Sequence, residues 1–455
     1  MPPETPFSIV GRSRPFAVVS PGFEQVTTGP GRLSSRRHSG VSPVAPFAAI
    51  EVVLDGAEPG ATTAGLLTPD GDGVRVDVDP GRAQVRIVVV DAGREQVLRR
   101  RRLRGAAPMR MAFVLCENQV TAVVDQGSGW RALTSERTKV SKALDLRDPD
   151  TLARHSYTWG AVDSGATVAV REVRAGPFGM TGVRDPHLVQ HPDGTPYVRD
   201  GLVYLTMTCA GMGFFTQAHW GVFTLDPAAP ERLTQVAHLF SRRDGLLLGD
   251  HAGQVVVDGD RTYLVVSSWG TFHPSTGVHL RQRVGGLEVL HGVHVLETVP
   301  FDLPTPHSAW DPAATVIDGR WHLAFVESPG QEPFDFRPAL AVGAVGGSLG
   351  DELEMVGADT SVQQSEGPIL ARVGGEWRVL ASDGRGRRYP IYDLAMRRVG
   401  NLPAPYETNI PHPQLVPLPA GSSLGSELMV TFDGTTWCNR VLGYGTHGDL
   451  LVMAR

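Results

Sequence analysis

The chain has 455 residues, 41% of them hydrophobic and 7% aromatic, which is enough for two or three domains with sizeable cores. A formal charge of −6, from 42 basic and 48 acidic residues, argues against a general binder of nucleic acid or of an anionic membrane. Its 53 Gly and 35 Pro, about a fifth of the chain, exceed the ordinary share of about 12% and imply many turns.

Residues 1–10 lack a basic stretch followed by an apolar one, the pattern of a secretory leader. No apolar run reaches the roughly 20 residues that a membrane span requires. Cys116, Cys209 and Cys438 are odd in number, far apart and without a CxxC pair, so neither a disulfide framework nor a thiolate zinc site is expected. These features place the protein in the cytoplasm, without nucleic-acid or membrane partners. The pattern is silent on oligomeric state.

Helical periodicity is scarce, and short alternating runs bounded by Gly, Asp or Pro indicate an all-β chain. In the first 178 residues such runs fall at 47–54, 73–79, 83–90, 111–115 and 119–124, spaced as in a β-sandwich, with 166–174 as its last strand and 175–179 as a linker. Arg99 to Arg102 with Arg104 read as a solvated hairpin edge, where charge discourages edge-to-edge pairing.

From residue 179 onward a repeat sets in: an acidic residue, an apolar strand, a turn often written Asp-Gly, and a second strand rich in Tyr, Trp, Leu and Val. Its turns fall at 200, 258, 318, 374 and 433, a nearly constant step that predicts a five-bladed β-propeller over residues 179–455. Residues opening the five copies, Asp185, Asp250, Asp311, Glu366 and His412, are expected to converge at one end of the channel. Asp-Pro and Asp-Gly are common turn dipeptides, and for one such residue alone a turn role is the better explanation. Four carboxylates and a His in one register point instead to acid–base chemistry, because like charges in a cleft raise one another's pKa.

At these residues the chain resembles the five-bladed propeller glycosidases, glycoside hydrolase family 43 most closely. The resemblance rests on Arg184-Asp185-Pro186-His187, Trp310-Asp311-Pro312-Ala313 and Ser365-Glu366-Gly367-Pro368, three short motifs in order over residues 180–455. It implies Asp185 as general base, Asp311 as the group that tunes and orients the acid, and Glu366 as general acid in an inverting hydrolysis. His412 matches the His that the family's fifth blade offers to a central metal ion or water cluster, but its Pro-His-Pro setting departs from the usual motif. No catalytic cofactor or metal is implied; a structural Ca2+ or a water cluster in the channel is the family's further feature. The first 178 residues resemble a concanavalin-like or laminin-G-like jelly roll at fold level only.

The expected substrate is a small molecule or oligosaccharide carrying a pentofuranoside, pentopyranoside or similar linkage. Candidate substrate contacts are His187, Asp250, His251, Trp269, Trp310, Arg387 and His412, with Trp220 and Arg388 as weaker choices. For the Trp residues a place in a blade core competes with sugar stacking, and for the Asp383–Arg388 segment a solvated loop does. His187, His251 and His412 could also meet around a metal, although no HExxH or similar ligand pattern occurs. Two other classes of function stay open: a non-hydrolytic glycan-binding propeller, and a natural-product tailoring enzyme of cyclase or lyase type that reuses the funnel carboxylates. A cavity walled by apolar side chains would favour the last.

Overall fold

A computed structural model describes residues 5–55, 60–163, 166–441 and 447–455. The chain is all-β with many sheets, consistent with a β-propeller fold. Only two short α-helices occur among the described residues, Thr138–Ala143 and Pro149–Ala153, the second capped by the Asp148 carboxylate on the Thr151 amide.

The first two sheets take up most of the chain before residue 180. One has six strands, running from Arg94–Arg102 at one edge through Gln84–Asp91, Gly73–Asp79, Thr62–Leu67 and Ser156–Ala161 to Arg36–His38. The other is built on Phe47–Leu54, with Arg110–Cys116 on one side and the long strand Val168–Met180 on the other. Alternate residues of both sheets, among them Ile50, Val52, Val76, Ile87, Phe113 and Val124, form one buried cluster. Arg99 to Arg102 lie on the edge strand of the six-stranded sheet, where a charged surface is expected. Residues 175–179, expected as a linker, instead continue the strand Val168–Met180 and pair with Phe47–Leu54 and Ala17–Val19.

Five further sheets follow among the described residues, antiparallel except where Gly292–Glu297 runs parallel to Ala229–Arg243. Their opening strands are Val183–Leu188, His251–Asp258, Ser308–Ile317, Ser365–Val373 and Gln414–Pro417. Each opening strand packs on the next through the first four, and the first also packs on the last. The fourth and fifth sheets share a cluster that includes Ile369, Leu380, Leu415 and Met429. Asp200-Gly201, Asp258-Gly259, Asp318-Gly319 and Gly374-Gly375 all form turns between strands, as the repeat requires. The fifth copy departs from the pattern. Asp433 and Gly434 lie inside Glu427–Thr436, and the hairpin turns at residues 418–426 instead. Asp433 is held there by the Thr408 amide at 3.2 Å, by the Thr435 hydroxyl at 2.8 Å and by Arg12, so its role is pairing between segments.

The strand Ser8–Ser13, expected in the first domain, pairs with His447–Ala454 and completes the fifth sheet. Phe7 anchors it: the ring is buried beside Leu402, Leu451 and Met453, and the Arg455 guanidinium lies 4.6 Å from its centroid. Phe7→Ala should therefore cost about 3 kcal/mol and loosen this sheet first. Hydrogen exchange would show faster exchange in His447–Ala454 than elsewhere; unchanged protection there would contradict the anchoring role.

Candidate active site

Four opening strands share one backbone device. Asp185, Ala252, Asp311 and Gly367 all sit at positive φ, between 49° and 58°, and the pairing register slips at each of them. Such a bulge bends the strand and re-aims its side chains. It also splits neighbouring residues between two levels. Arg184, Trp310 and Glu366 line a cavity of about 280 Å³, whereas the residues after them, Asp185, Asp311 and Gly367, line a void of about 10 Å³ with His187 and His412. The five opening residues thus do not share one register. Asp185, Asp311 and His412 occupy the lower level, and Glu366 stands one position earlier, on the upper one. Gly367 is obligatory at its place, because a Cβ there would meet the His412 ring at 2.2–2.6 Å and φ is +58°.

The lower level is tightly connected. Asp311 Oδ2 accepts the Gly367 amide at 3.0 Å, and the Asp311 amide donates to Ser267 Oγ at 3.0 Å, which ties the strand bearing Glu366 to its neighbours. His412 Nε2 stands 3.7 Å from Asp185 Oδ1 and 3.6 Å from Asp311 Oδ2. On the upper level Trp310 Nε1 donates to Glu366 Oε1 at 3.2 Å and orients the carboxyl.

Burial and mutual repulsion separate the three acids. Glu366 is pushed up to about 7, first by burial and then by the charge of Asp185, against the pull of Arg184 and Trp310. Asp311 rises well above the carboxylate range through burial and the charges of Glu366 and Asp185. Burial also opposes ionisation of Asp185, but His412, Arg184 and His251 outweigh it and its pKa falls. Burial keeps His412 and His251 at about 4, so both are neutral near pH 7. The cation facing Asp185 at that pH is Arg184, with Nε at 3.8 Å from Oδ1. One carboxylate is ionised and another is protonated near neutrality, the division that acid–base catalysis uses.

Aromatic rings form the wall of the larger cavity: Phe214, Phe215, Trp269, Trp310, Phe334 and Phe336, closed by Ile410. Strands of the sheet built on Phe47–Leu54 brace part of this wall. Gln119 donates to the Met212 carbonyl, the Met212 amide donates to Cys116 Sγ at 3.4 Å, and the buried Glu117 bonds Thr216. Residues 212–217, which carry Phe214 and Phe215, are thereby fixed to strands of the eight-stranded sheet.

The expected contacts divide accordingly. Trp269 and Trp310 line the cavity, and His187 and His412 line the void. Asp250 belongs to neither lining: its carboxylate holds Arg243 through two contacts of 2.7 Å and accepts the Gly270 amide. His251 lies behind the wall, its ring parallel to Trp269 with centroids 6.0 Å apart and Nε2 bound to the Phe215 carbonyl. Arg387 turns to the Tyr406 carbonyl at 2.9 Å, Arg388 pairs with Asp383, and Trp220 is a core residue. In each case a nearer partner satisfies the side chain away from the cavity. Arg184 and the four Phe residues had not been expected here. The signal was present in Phe214-Phe215 and Phe334-Asp335-Phe336, aromatic pairs in segments that otherwise read as polar connections.

The void offers the Asp185 carboxylate, the imidazoles of His187 and His412, a protonated Asp311 and room for about one water. Among the described residues, no group of three or more His, Cys, Asp or Glu side chains is placed to hold a metal ion.

No protein-family model and no curated protein matches the chain. Solved structures similar to it are glycoside hydrolases. The GH43_1 enzyme from Xanthomonas citri is 17% identical over 58% of this chain and 87% of its own, with a TM-score of 0.39. The α-L-arabinanase of Penicillium chrysogenum, complexed with arabinobiose, is 8% identical over 91% of this chain and 97% of its own, with a TM-score of 0.37. A GH43 β-xylosidase/α-arabinofuranosidase from a compost microbial metagenome is 14% identical over 59% and 90%, with a TM-score of 0.41.

The raised pKa of Glu366 has a measurable consequence. The folded state binds more protons than the unfolded state between pH 4.5 and about 7, so this group makes stability fall as pH rises through that window. Glu366→Gln, which has no charge to bury, should match the wild type near pH 4.5 and gain on the order of 1–3 kcal/mol by pH 8. Urea denaturation at the two pH values tests this. A variant equally destabilised at both would show that the carboxyl is ionised in the folded protein.

Proposed function

We propose that the chain is a glycoside hydrolase, an N-terminal β-sandwich of the first two sheets joined to a five-bladed β-propeller of the other five. The observation that carries this reading is the split of protonation states: Glu366, titrating near 7, faces the large cavity while the ionised Asp185 lies just beneath its floor. The order of the motifs around Asp185, Asp311 and Glu366, which resembles family 43, supports it further.

In this mechanism Glu366 gives its proton to the glycosidic oxygen as the bond to the anomeric carbon breaks. Asp185 takes a proton from a water that attacks the same carbon from the opposite face, with inversion. The void against Asp185 has the volume of that one water. Asp311 is a positioning residue: it holds the amide next to Glu366 and, staying protonated, spares the site a second buried charge. Reset needs only proton exchange, from Asp185 to solvent and from solvent to Glu366. Small glycosides in the cytoplasm are the substrates this reading assigns, in keeping with three free cysteines.

The apolar wall supports a second reading, acid-promoted tailoring of a hydrophobic natural product by the same Glu366. A panel of glycosides with poor leaving groups separates the two. On the first reading the wild type hydrolyses at least one, and Glu366→Gln lowers kcat/KM by about 100- to 10,000-fold. The wild-type kcat/KM should fall as pH rises through about 7 and hold down to below the ordinary carboxylate range, following Glu366 and Asp185. Undiminished activity in the variant would remove Glu366 as the acid, and hydrolysis of no glycoside would favour the second reading.

A further inference from the structure

The cavity that exposes Glu366 is poor in hydrogen-bonding groups for a sugar site. Among the described residues its lining numbers ten, and besides the indole N–H groups of Trp269 and Trp310 only Arg184, Glu366 and Asn409 carry polar side chains. Each is partly engaged within the protein: Arg184 Nη2 donates to the Asn409 carbonyl at 3.4 Å, Asn409 Nδ2 donates to the Gly434 carbonyl at 3.3 Å, and Glu366 Oε1 accepts from Trp310. An ordinary hexosyl group brings four hydroxyls besides the reacting centre, and each needs a partner once water has left.

The rings pack on one another, and Phe214 and Phe215 keep part of their surface open. Phe215 stacks on Trp269 with centroids 4.6 Å apart, and Trp310 meets Trp269 at 5.4 Å and Phe336 at 5.5 Å. Phe214 leaves 48% of its surface exposed at the cavity, apolar area that a ligand would cover. Ile410 gives a second indication. It lies at φ +55°, a region where a β-branched residue is disfavoured and Asn or Gly would be at ease. Its apolar side chain is therefore set at a strained position on this wall. At interior packing density about 280 Å³ admits on the order of a dozen non-hydrogen atoms, the size of one modified monosaccharide.

Building on Glu366 as acid and Asp185 as base, we infer that the sugar bound in this cavity is a hydroxyl-poor one, a deoxy- or O-methylated glycosyl group. Such a group lays its C–H faces against Phe214 and Phe215 and leaves few hydroxyls unpaired. Its anomeric carbon lies between Glu366 and the water-sized void, and the leaving group points to the open side of the cavity. The same wall rejects fully hydroxylated sugars, because each buried hydroxyl without a partner weakens binding by roughly ten-fold.

The test uses pairs of aryl glycosides that differ by one or two hydroxyls, such as a hexoside with its 6-deoxy and 2,6-dideoxy counterparts. The expected result is kcat/KM at least ten-fold higher for each deoxygenated member, with the ratio reduced in Ile410→Asn, which adds a polar partner to the wall. Equal or better hydrolysis of the fully hydroxylated members would overturn this inference and leave the hydrolase reading standing. Calorimetric titration of Glu366→Gln with the same pairs separates the converse case. Tighter binding of the deoxy members without hydrolysis by the wild type would retain the ligand class and remove the hydrolase reading. Equal binding within pairs, or binding of neither member, would overturn the ligand class.

Discussion

The positive-φ bulge repeated in four opening strands is the constraint on which the site depends. In an unbroken strand, neighbouring side chains point to opposite faces of the sheet. With Asp185, Ala252, Asp311 and Gly367 in the left-handed region, consecutive residues instead serve two levels of one funnel. Arg184, Trp310 and Glu366 meet whatever enters from above. Asp185, Asp311 and His412 form a closed polar layer below. Asp tolerates this backbone better than most residues, and Gly tolerates it best, so the residue types at the bulges follow from the geometry as much as from chemistry.

The two levels make the electrostatics intelligible. Three carboxyl groups are buried around one guanidinium, and three charges there would be far too costly to sustain. The arrangement settles with Asp185 ionised beside Arg184, Asp311 protonated, and Glu366 titrating near neutrality. Neutral imidazoles from His187 and His412 line the lower layer without adding charge. Above it the medium changes abruptly to aromatic rings. That wall raises the pKa of Glu366 and limits which ligands can lie against it, so one set of Phe and Trp residues acts on both acidity and selectivity.

The sheet built on Phe47–Leu54 has a part in this. Its strand ends hold residues 212–217 through Gln119, Cys116 and Glu117, and the shared cluster of Phe47, Phe178, Met212 and Phe240 packs the two regions together. Such a contact fixes two aromatic rings of the cavity from outside the sheets that carry the acids. Rigid support of this kind matters more for a stacking wall than for a hydrogen-bonded one, because stacking has little directional restoring force of its own.

The sequence by itself determined the all-β character, several strands of the first two sheets and four of the five repeat turns, and it singled out Asp185, Asp311 and Glu366 as candidates. These are local properties: alternation reports a half-buried strand, Asp-Gly reports a turn, and a carboxylate beside Pro or Gly at a strand start reports a bulge or a site. Only the tertiary structure decided what lies between segments far apart in the chain. It moved residues 8–13 into the last sheet, gave Asp433 to Arg12, and placed Asp250 on Arg243 and Arg387 on Tyr406. It also set Glu366 one register step from Asp185 and Asp311, and gathered Phe214, Phe215, Phe334 and Phe336 from two separate segments into one wall. The reason is physical. A side chain's pattern in sequence tells which face of its own strand it occupies, but its partner is chosen by whichever group the packing brings within reach.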